Sequence, residues 1–293
     1  MPKHLFSQVD VFCGERLRGN PVAVVHDALD DDGAEIDAGL MQAFARWTNL
    51  SETTFLLPPT DPGADYRLRI FTPAHELPFA GHPTLGSARA WLATGGVPRT
   101  AGVVVQQCGA GLVRVRRREG ALAFAAPALL RSGPPENALR RAVTAALRVE
   151  PSAVVDSSWL VNGPRWLGLL LRDAATVLAL RPDFGAIEAI GEVEVGVIGP
   201  HGPEAEADYE VRAFCPGAGV DEDPVTGSLQ AGLAQWLTAS GRAPDRYVAA
   251  QGSVVGRAGR VSVELDRDPG QGRDVVWVGG ETVLRVAGAV DLT

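Results

Sequence analysis

The chain has only three cysteines in 293 residues, at positions 13, 108 and 215. They lie too far apart for a ligand pair, and an odd count gives no disulfide framework, which points to a reducing compartment. There is no apolar stretch of about 18 residues or more, the length a membrane-crossing helix needs. Met1-Pro2-Lys3-His4-Leu5 also lacks an apolar run leading to a small-residue cleavage site, so the expectation is a cytoplasmic protein that is neither exported nor membrane-bound. A long basic stripe is missing as well: 27 Lys and Arg stand against 35 Asp and Glu, for a net charge of −8. Such a chain repels a phosphate backbone, and nucleic acid is not an expected partner.

What is present is 46% apolar residues, 34 Gly and 21 Pro. The length admits one large domain or two of ordinary size. Short β-branched runs broken by Gly and Pro predict strands at Leu5 to Phe12, Val22 to Val25, Thr53 to Leu57, Tyr66 to Phe71, Val103 to Gln107, Leu112 to Arg116 and Leu122 to Ala125. Helical spacing appears at Ile36 to Trp47 and Thr84 to Ala93. The second half repeats this grammar, with helices at Glu136 to Leu147, Phe184 to Ile190 and Thr226 to Ala239. Its strands are expected at Trp166 to Leu171, Glu194 to Ile198, Tyr209 to Phe214, Tyr247 to Ala250, Val261 to Leu265 and Val275 to Val278. A helix inside each strand-rich half implies α+β packing rather than a doubly wound parallel sheet. The Ser132-Gly133-Pro134-Pro135 segment, within Leu130 to Glu136, reads as a linker.

The two halves echo each other. Arg69-Ile70-Phe71-Thr72-Pro73 is matched by Arg212-Ala213-Phe214-Cys215-Pro216 at an offset of 143 residues. Both runs pass through a Gly-containing turn into a helix ending in Trp91-Leu92 or Trp236-Leu237, at an offset of 145. Gln107-Cys108-Gly109 and Gln251-Gly252 follow at 144. Three matches in one order at nearly one offset indicate a tandem duplication. Two like domains facing one another would bring both turns, and both helix N-termini, to a shared cleft.

Free N–H groups and the dipole at such helix starts favour an anion, so a small carboxylate-bearing ligand is expected. The first turn offers Gly81-His82-Pro83-Thr84, where Gly allows close backbone approach and Pro suits the first helical turn. The second offers Asp223, Thr226, Gly227 and Ser228. From the turn alone, Asp223, Thr226 and Ser228 read equally as helix caps, and His82 as a surface or cap histidine. Glu52 enters the apolar run Phe55-Leu56-Leu57, where partial burial would raise its pKa towards neutrality, the condition for a proton-shuttling acid/base. The alternative is a solvated Glu at a strand start.

Taken as a set, several segments resemble the PhzF-like phenazine-biosynthesis isomerases, which belong with the diaminopimelate-epimerase-like fold. They are Val9-Asp10-Val11-Phe12 with Gly19-Asn20-Pro21-Val22-Ala23-Val24, Leu50-Ser51-Glu52-Thr53, Arg69 to Pro73 with Glu76-Leu77, Phe79 to Gly86, and Gly219 to Ser228. The resemblance implies two similar pseudo-symmetric domains, each a β-sheet wrapped around a central helix. Residues 1–128 would carry Glu52 and His82, and residues 129–293 would carry Asp223 and Ser228, with the last strand free to cross back. It implies a homodimer and an active site between the domains. It further implies Glu52 as the proton carrier, and substrate binding by Gly81, His82, Asp223, Thr226, Gly227 and Ser228. No metal, nucleotide or flavin is expected.

The wider fold includes racemases that use two cysteines, each preceding a Gly at a helix start. Ala80 and Thr226 occupy those positions here, which disfavours two-thiol chemistry. Cys13, Cys108 and Cys215 read as small buried hydrophobes. Ser228 in Thr-Gly-Ser-Leu lacks the flanking pattern of a nucleophile elbow, so a hydrolase is disfavoured. A non-catalytic ligand-binding protein of the same fold is the remaining alternative.

Overall fold

The computed structural model describes residues 3–118, 120–267 and 274–292. The chain divides into two compact units, 1–125 with 279–293, and 126–278. The linear boundary read at 128/129 therefore falls three residues late, and the C-terminal residues group with the first unit.

The first unit contains β1 (His4–Val11), β2 (Asn20–Val25), α1 (Ala38–Thr48), β3 (Glu52–Leu57), β4 (Tyr66–Phe71), β5 (Glu76–Leu77), α2 (Gly81–Ala93), β6 (Val103–Cys108), β7 (Gly111–Arg118) and β8 (Ala121–Ala125). The second contains β9 (Arg131–Gly133), α3 (Asn137–Ala146), β10 (Val154–Val161), β11 (Arg165–Leu171), α4 (Ala174–Ala179), α5 (Phe184–Ala189), β12 (Glu194–Pro200), β13 (Tyr209–Cys215), β14 (Val220–Asp223), α6 (Gly227–Ala239), β15 (Arg246–Gln251) and β16 (Gly259–Asp266). The last strand, β17 (Val275–Val290), begins in the second unit. From Thr282 to Val290 it pairs antiparallel with β1.

Each unit has the same strand logic. In the first, β2 runs parallel to β3, β3 antiparallel to β4, β4 parallel to β6 and β6 antiparallel to β7. In the second, β11 runs parallel to β12, β12 antiparallel to β13, β13 parallel to β15 and β15 antiparallel to β16. The registers also correspond, because Val22 opposes Glu52 as Trp166 opposes Glu194.

Alternation along the strands separates two faces. In β3, Phe55 and Leu57 pack outward with Met41 and Phe44 of α1, while Thr54 hydrogen-bonds Ser87 of α2 at 2.9 Å. In β12, Val195 and Val197 pack outward with Val143, Val177 and Ile187 of the surrounding helices. The inner residue Gly196 lies against Leu229 of α6. Each sheet thus wraps a central helix, α2 or α6, most of whose residues are buried. A helix buried on all sides needs small and apolar residues all round rather than one apolar stripe, and both sequences supply them.

Several sequence expectations need correction. The Leu130 to Glu136 segment is not a free linker: β9 within it pairs with β10 through Trp159 and Gly133. The β10 strand escaped notice because Asp156-Ser157-Ser158 interrupts its apolar run, although both serines are buried. Strand β17 continues well past the expected end at Val278, through Gly279-Gly280. Cys13 and Cys215 are buried, but Cys108, at the end of β6, is only half-buried. Among the described residues, no helix is long and apolar enough to cross a membrane.

Candidate active-site residues in the two units

In the first unit, Glu52 opens β3 on the face turned towards α2, the face that Thr54 shares two residues later. His82 is the second residue of α2 and is buried. Its Nε2 lies 3.2 Å from Glu52 Oε2. Asn20, at the start of β2, donates from Nδ2 to His82 Nδ1 at 3.3 Å. That bond leaves the imidazole proton on Nε2, facing the glutamate. Burial pushes the His82 pKa down to about 3. The histidine is therefore neutral at physiological pH and places no charge beside Glu52. Its Nε2 and Glu52 Oε2 lie close without a hydrogen bond between them. A carboxyl beside a buried, neutral imidazole can change protonation state without opposing a fixed charge next to it.

In the second unit, the candidate side chains bond to one another or to neighbouring strands. Thr226 is the N-cap of α6 yet makes no side-chain cap bond; its hydroxyl instead donates to Asp223 Oδ2 at 2.5 Å. Gln251 of β15 ties this turn together. Its Oε1 accepts from the Thr226 backbone N–H at 3.1 Å and from Gln230 Nε2 at 3.0 Å. Its Nε2 donates to the Asp223 carbonyl at 3.1 Å and to Thr226 Oγ1 at 2.9 Å. Ser228 takes the second position of α6, as His82 does in α2, and its Oγ accepts from Trp166 Nε1 at 3.0 Å. Asn162 Nδ2 donates to the Ser228 carbonyl at 2.8 Å. The cap reading is overturned for Thr226, whose side chain joins Asp223 and Gln251 instead.

Gly81 and Gly227 are the first residues of α2 and α6. Of the predicted residues, the structure joins Glu52 with His82, and Asp223 with Thr226. Ser228 is held separately by Trp166 and Asn162. Sequence reasoning passed over Asn20, Asn162, Trp166 and Gln251 as functional supports. Gln251 left a signal in its echo of Gln107, and Asn20 lay in the Gly19 to Val24 segment, whereas Asn162 and Trp166 depend on which strands become neighbours. Among the described residues, no group of three or more His, Cys, Asp or Glu side chains is placed to hold a metal ion.

Comparison with known proteins follows this geometry. A solved PhzF-family structure from Enterococcus faecalis superposes with a TM-score of 0.78, at 26% identity, covering 99% of this chain and 100% of that one. The fold is therefore that of the PhzF proteins. The family model "Phenazine biosynthesis-like protein" matches residues 9–288, and the chain belongs to that family. It is 35% identical to the trans-2,3-dihydro-3-hydroxyanthranilate isomerase of Pseudomonas aeruginosa, over 88% of this chain and 89% of that protein. It is also 35% identical to antisense-enhancing sequence 1 of Schizosaccharomyces pombe, over 98% of this chain and 99% of that protein. Named isomerases thus stand among its full-length relatives.

Proposed function

We propose that the protein is an isomerase that moves a proton within a small carboxylate-bearing substrate, with Glu52 as the acid/base. The observation that carries this reading is the 3.2 Å approach of Glu52 Oε2 to Nε2 of a buried, neutral His82. A carboxylate that takes a proton from one carbon and returns it to another must be ionised at the start and protonated midway. A neutral imidazole beside it suits both states, because it adds no fixed charge to either. A solvated surface glutamate would have no such partner.

Binding of the substrate is assigned to Gly81, His82, Asp223, Thr226, Gly227 and Ser228. The backbone N–H groups at the starts of α2 and α6 suit a carboxylate. Hydroxyl and imidazole donors suit oxygen or nitrogen charge that develops during transfer. The substrate of the P. aeruginosa relative belongs to this chemical class and is the first compound to test. A homodimer in the cytoplasm completes the proposal, and light scattering on the purified protein would check the dimer.

The test is incubation in deuterated water with trans-2,3-dihydro-3-hydroxyanthranilate and a panel of small carboxylate metabolites, read by mass spectrometry. The wild type is expected to incorporate deuterium into at least one compound. Glu52→Gln should slow that exchange by roughly 10²–10⁴-fold, the usual range for a lost acid/base. Exchange untouched by the substitution would remove Glu52 from its role. Binding without exchange across the panel would favour the ligand-binding alternative.

A further inference from the structure

The two units correspond residue by residue around the start of the central helix. Tyr209 opposes Ala249 as Tyr66 opposes Gln106, so Gln251, two residues on, holds the place that Cys108 holds in the first unit. The glycine after each makes a similar close approach. A Cβ on Gly252 would meet the Pro224 carbonyl oxygen at 2.5 Å, and one on Gly109 would meet Pro78 Cα at 2.8 Å. Counted back from Gly227 and Gly81, the first residues of α6 and α2, Thr226 corresponds to Ala80 and Asp223 to Leu77. Asp223, Thr226 and Gln251 are thus matched by Leu77, Ala80 and Cys108. Where the carboxyl is missing, the hydroxyl and the amide are missing with it, so the three read as one device rather than as separate packing choices.

The device has a direction. A glutamine amide offers two donor hydrogens and two acceptor positions. In Gln251, which is buried, all four are used: Oε1 accepts from the Thr226 N–H and from Gln230 Nε2, and Nε2 donates to the Asp223 carbonyl and to Thr226 Oγ1. The Thr226 N–H can only donate and the Asp223 carbonyl can only accept, so these two backbone groups fix which end of the amide is oxygen. Thr226 Oγ1 is consequently an acceptor towards Gln251. Its single proton goes to Asp223 Oδ2, 2.5 Å away. A hydroxyl that donates to a carboxyl favours the ionised form of that carboxyl.

We propose that Gln251 is a positioning residue for Asp223: by donating to the Thr226 hydroxyl, it turns the hydroxyl proton onto the carboxylate and holds Asp223 ionised in one orientation. The first unit has Leu77 in the corresponding place and no carboxyl to hold. Cys108 there donates to the Gly111 carbonyl within its own hairpin, at 3.6 Å. The proposal rests on the assignment of Asp223 to substrate binding. It adds that Thr226 contributes to binding through Asp223, and that Gln251 acts through both. Other charged groups at this turn are Glu194, which feels the Asp223 charge, Arg257 beside Gly252, and Asp221 and Glu222 of β14, the latter paired with Arg212. The variants that test the proposal leave all of these in place.

Two measurements on the full-length protein test it. In the first, aspartate carboxyls are labelled with carbon-13 and titrated by NMR, with Asp223→Asn identifying the resonance. Thr226→Val removes the hydroxyl and keeps the shape, and it should raise the Asp223 midpoint by about one to two pH units, the loss of a hydrogen bond to a charged group. Gln251→Met removes the amide and keeps the length, and it should raise the midpoint by less. Thr226→Ser should leave the midpoint in place, and Gln251→Met added to Thr226→Val should move it no further. A midpoint unmoved by Gln251→Met, or a shift that persists at full size in the Thr226→Val background, overturns the proposal. This measurement needs no substrate, so it stands even if the proposed reaction fails. If Gln251→Met does not fold, the wild type compared with Thr226→Val still decides: a midpoint unmoved by loss of the hydroxyl leaves Gln251 nothing to act through.

The second follows KM and kcat separately for trans-2,3-dihydro-3-hydroxyanthranilate. Gln251→Met should act on KM rather than on kcat, raising KM by roughly tenfold. In the Asp223→Asn background it should raise KM no further, a result that a purely structural role would not produce. A KM unmoved by Gln251→Met, or moved equally in both backgrounds, overturns the proposal. Lack of any turnover by the wild type counts against the proposed function, and the NMR midpoints then decide the role of Gln251 alone.

Discussion

The two units use one plan with different side chains, and the differences concentrate where chemistry is proposed. Both contain an arginine two residues before a phenylalanine, with the guanidinium about 5 Å from the ring: 5.1 Å for Arg69 over Phe71 and 5.0 Å for Arg212 over Phe214. Both pair that arginine with a glutamate on the next short strand, Glu76 or Glu222. Both have a central helix beginning with Gly. The second helical position then diverges, to His82 facing Glu52 in one unit and to Ser228 held by Trp166 in the other. A repeated scaffold can keep its packing rules while each copy specialises a few positions at the helix start.

The ion pairs give the largest contrast to test. Arg212 and Glu222 are 3% and 5% exposed, whereas Arg69 and Glu76 are 20% and 41% exposed. Leaving a buried charge without its partner typically costs about 3–5 kcal/mol, while a surface pair contributes about 1 kcal/mol or less. Glu222→Gln should therefore destabilise by about 3–5 kcal/mol and Glu76→Gln by about 1 kcal/mol or less, measured by urea denaturation. Arg69 also keeps its bond to Glu35. Equal costs would show that the two pairs are not distinguished by burial.

The central helices sharpen the comparison at smaller scale. A Cβ on Gly86 would overlap Val22 Cγ1, a methyl one bond from the Cβ branch point and so close to the backbone. A Cβ on Gly232, at the matching place in α6, would sit 2.8 Å from Leu160 Cβ. Overpacking of this kind costs about 1–3 kcal/mol. Thermal melts should show Gly86→Ala and Gly232→Ala both destabilised within that range, with Gly86→Ala the more affected. A neutral Gly86→Ala would mean that β2 can retreat from α2.

A last contrast between the units lies in pH dependence. His82 has a lowered native pKa, so the unfolded chain binds the extra proton first as pH falls. Its contribution to stability is full above the unfolded value of about 6.5 and declines as pH drops towards 3. His82→Asn should flatten that acid decline, whereas Ser228→Ala should leave it in place. Identical slopes for wild type and His82→Asn would show that His82 does not govern this range.

Much of the fold was legible because burial leaves a local trace. Tyr66 to Phe71 alternates as a half-buried strand should, and β4 has those bounds. Asp37 caps α1 by accepting from the Leu40 N–H, and an apolar face follows it. The echo of Arg-x-Phe and Trp-Leu marked both repeats, since the same inner and outer faces must be filled twice. Glu52 and His82 stood out as polar residues beside apolar runs and glycines. Illegible were β10, whose buried serines look like loop residues, and the course of β17 through two glycines, because strand pairing rather than propensity holds them.

By itself, the sequence determined the α+β class, the doubled plan and the residue types at each helix start, since these follow from periodicity and repetition along the chain. Only the tertiary structure decided that His82 is neutral and 3.2 Å from Glu52, and that Thr226 serves Asp223 rather than a helix cap. Those properties depend on strand register and on removal from water. Residues as distant in sequence as Glu52 and His82 acquire them only when neighbouring elements bring them together and exclude solvent.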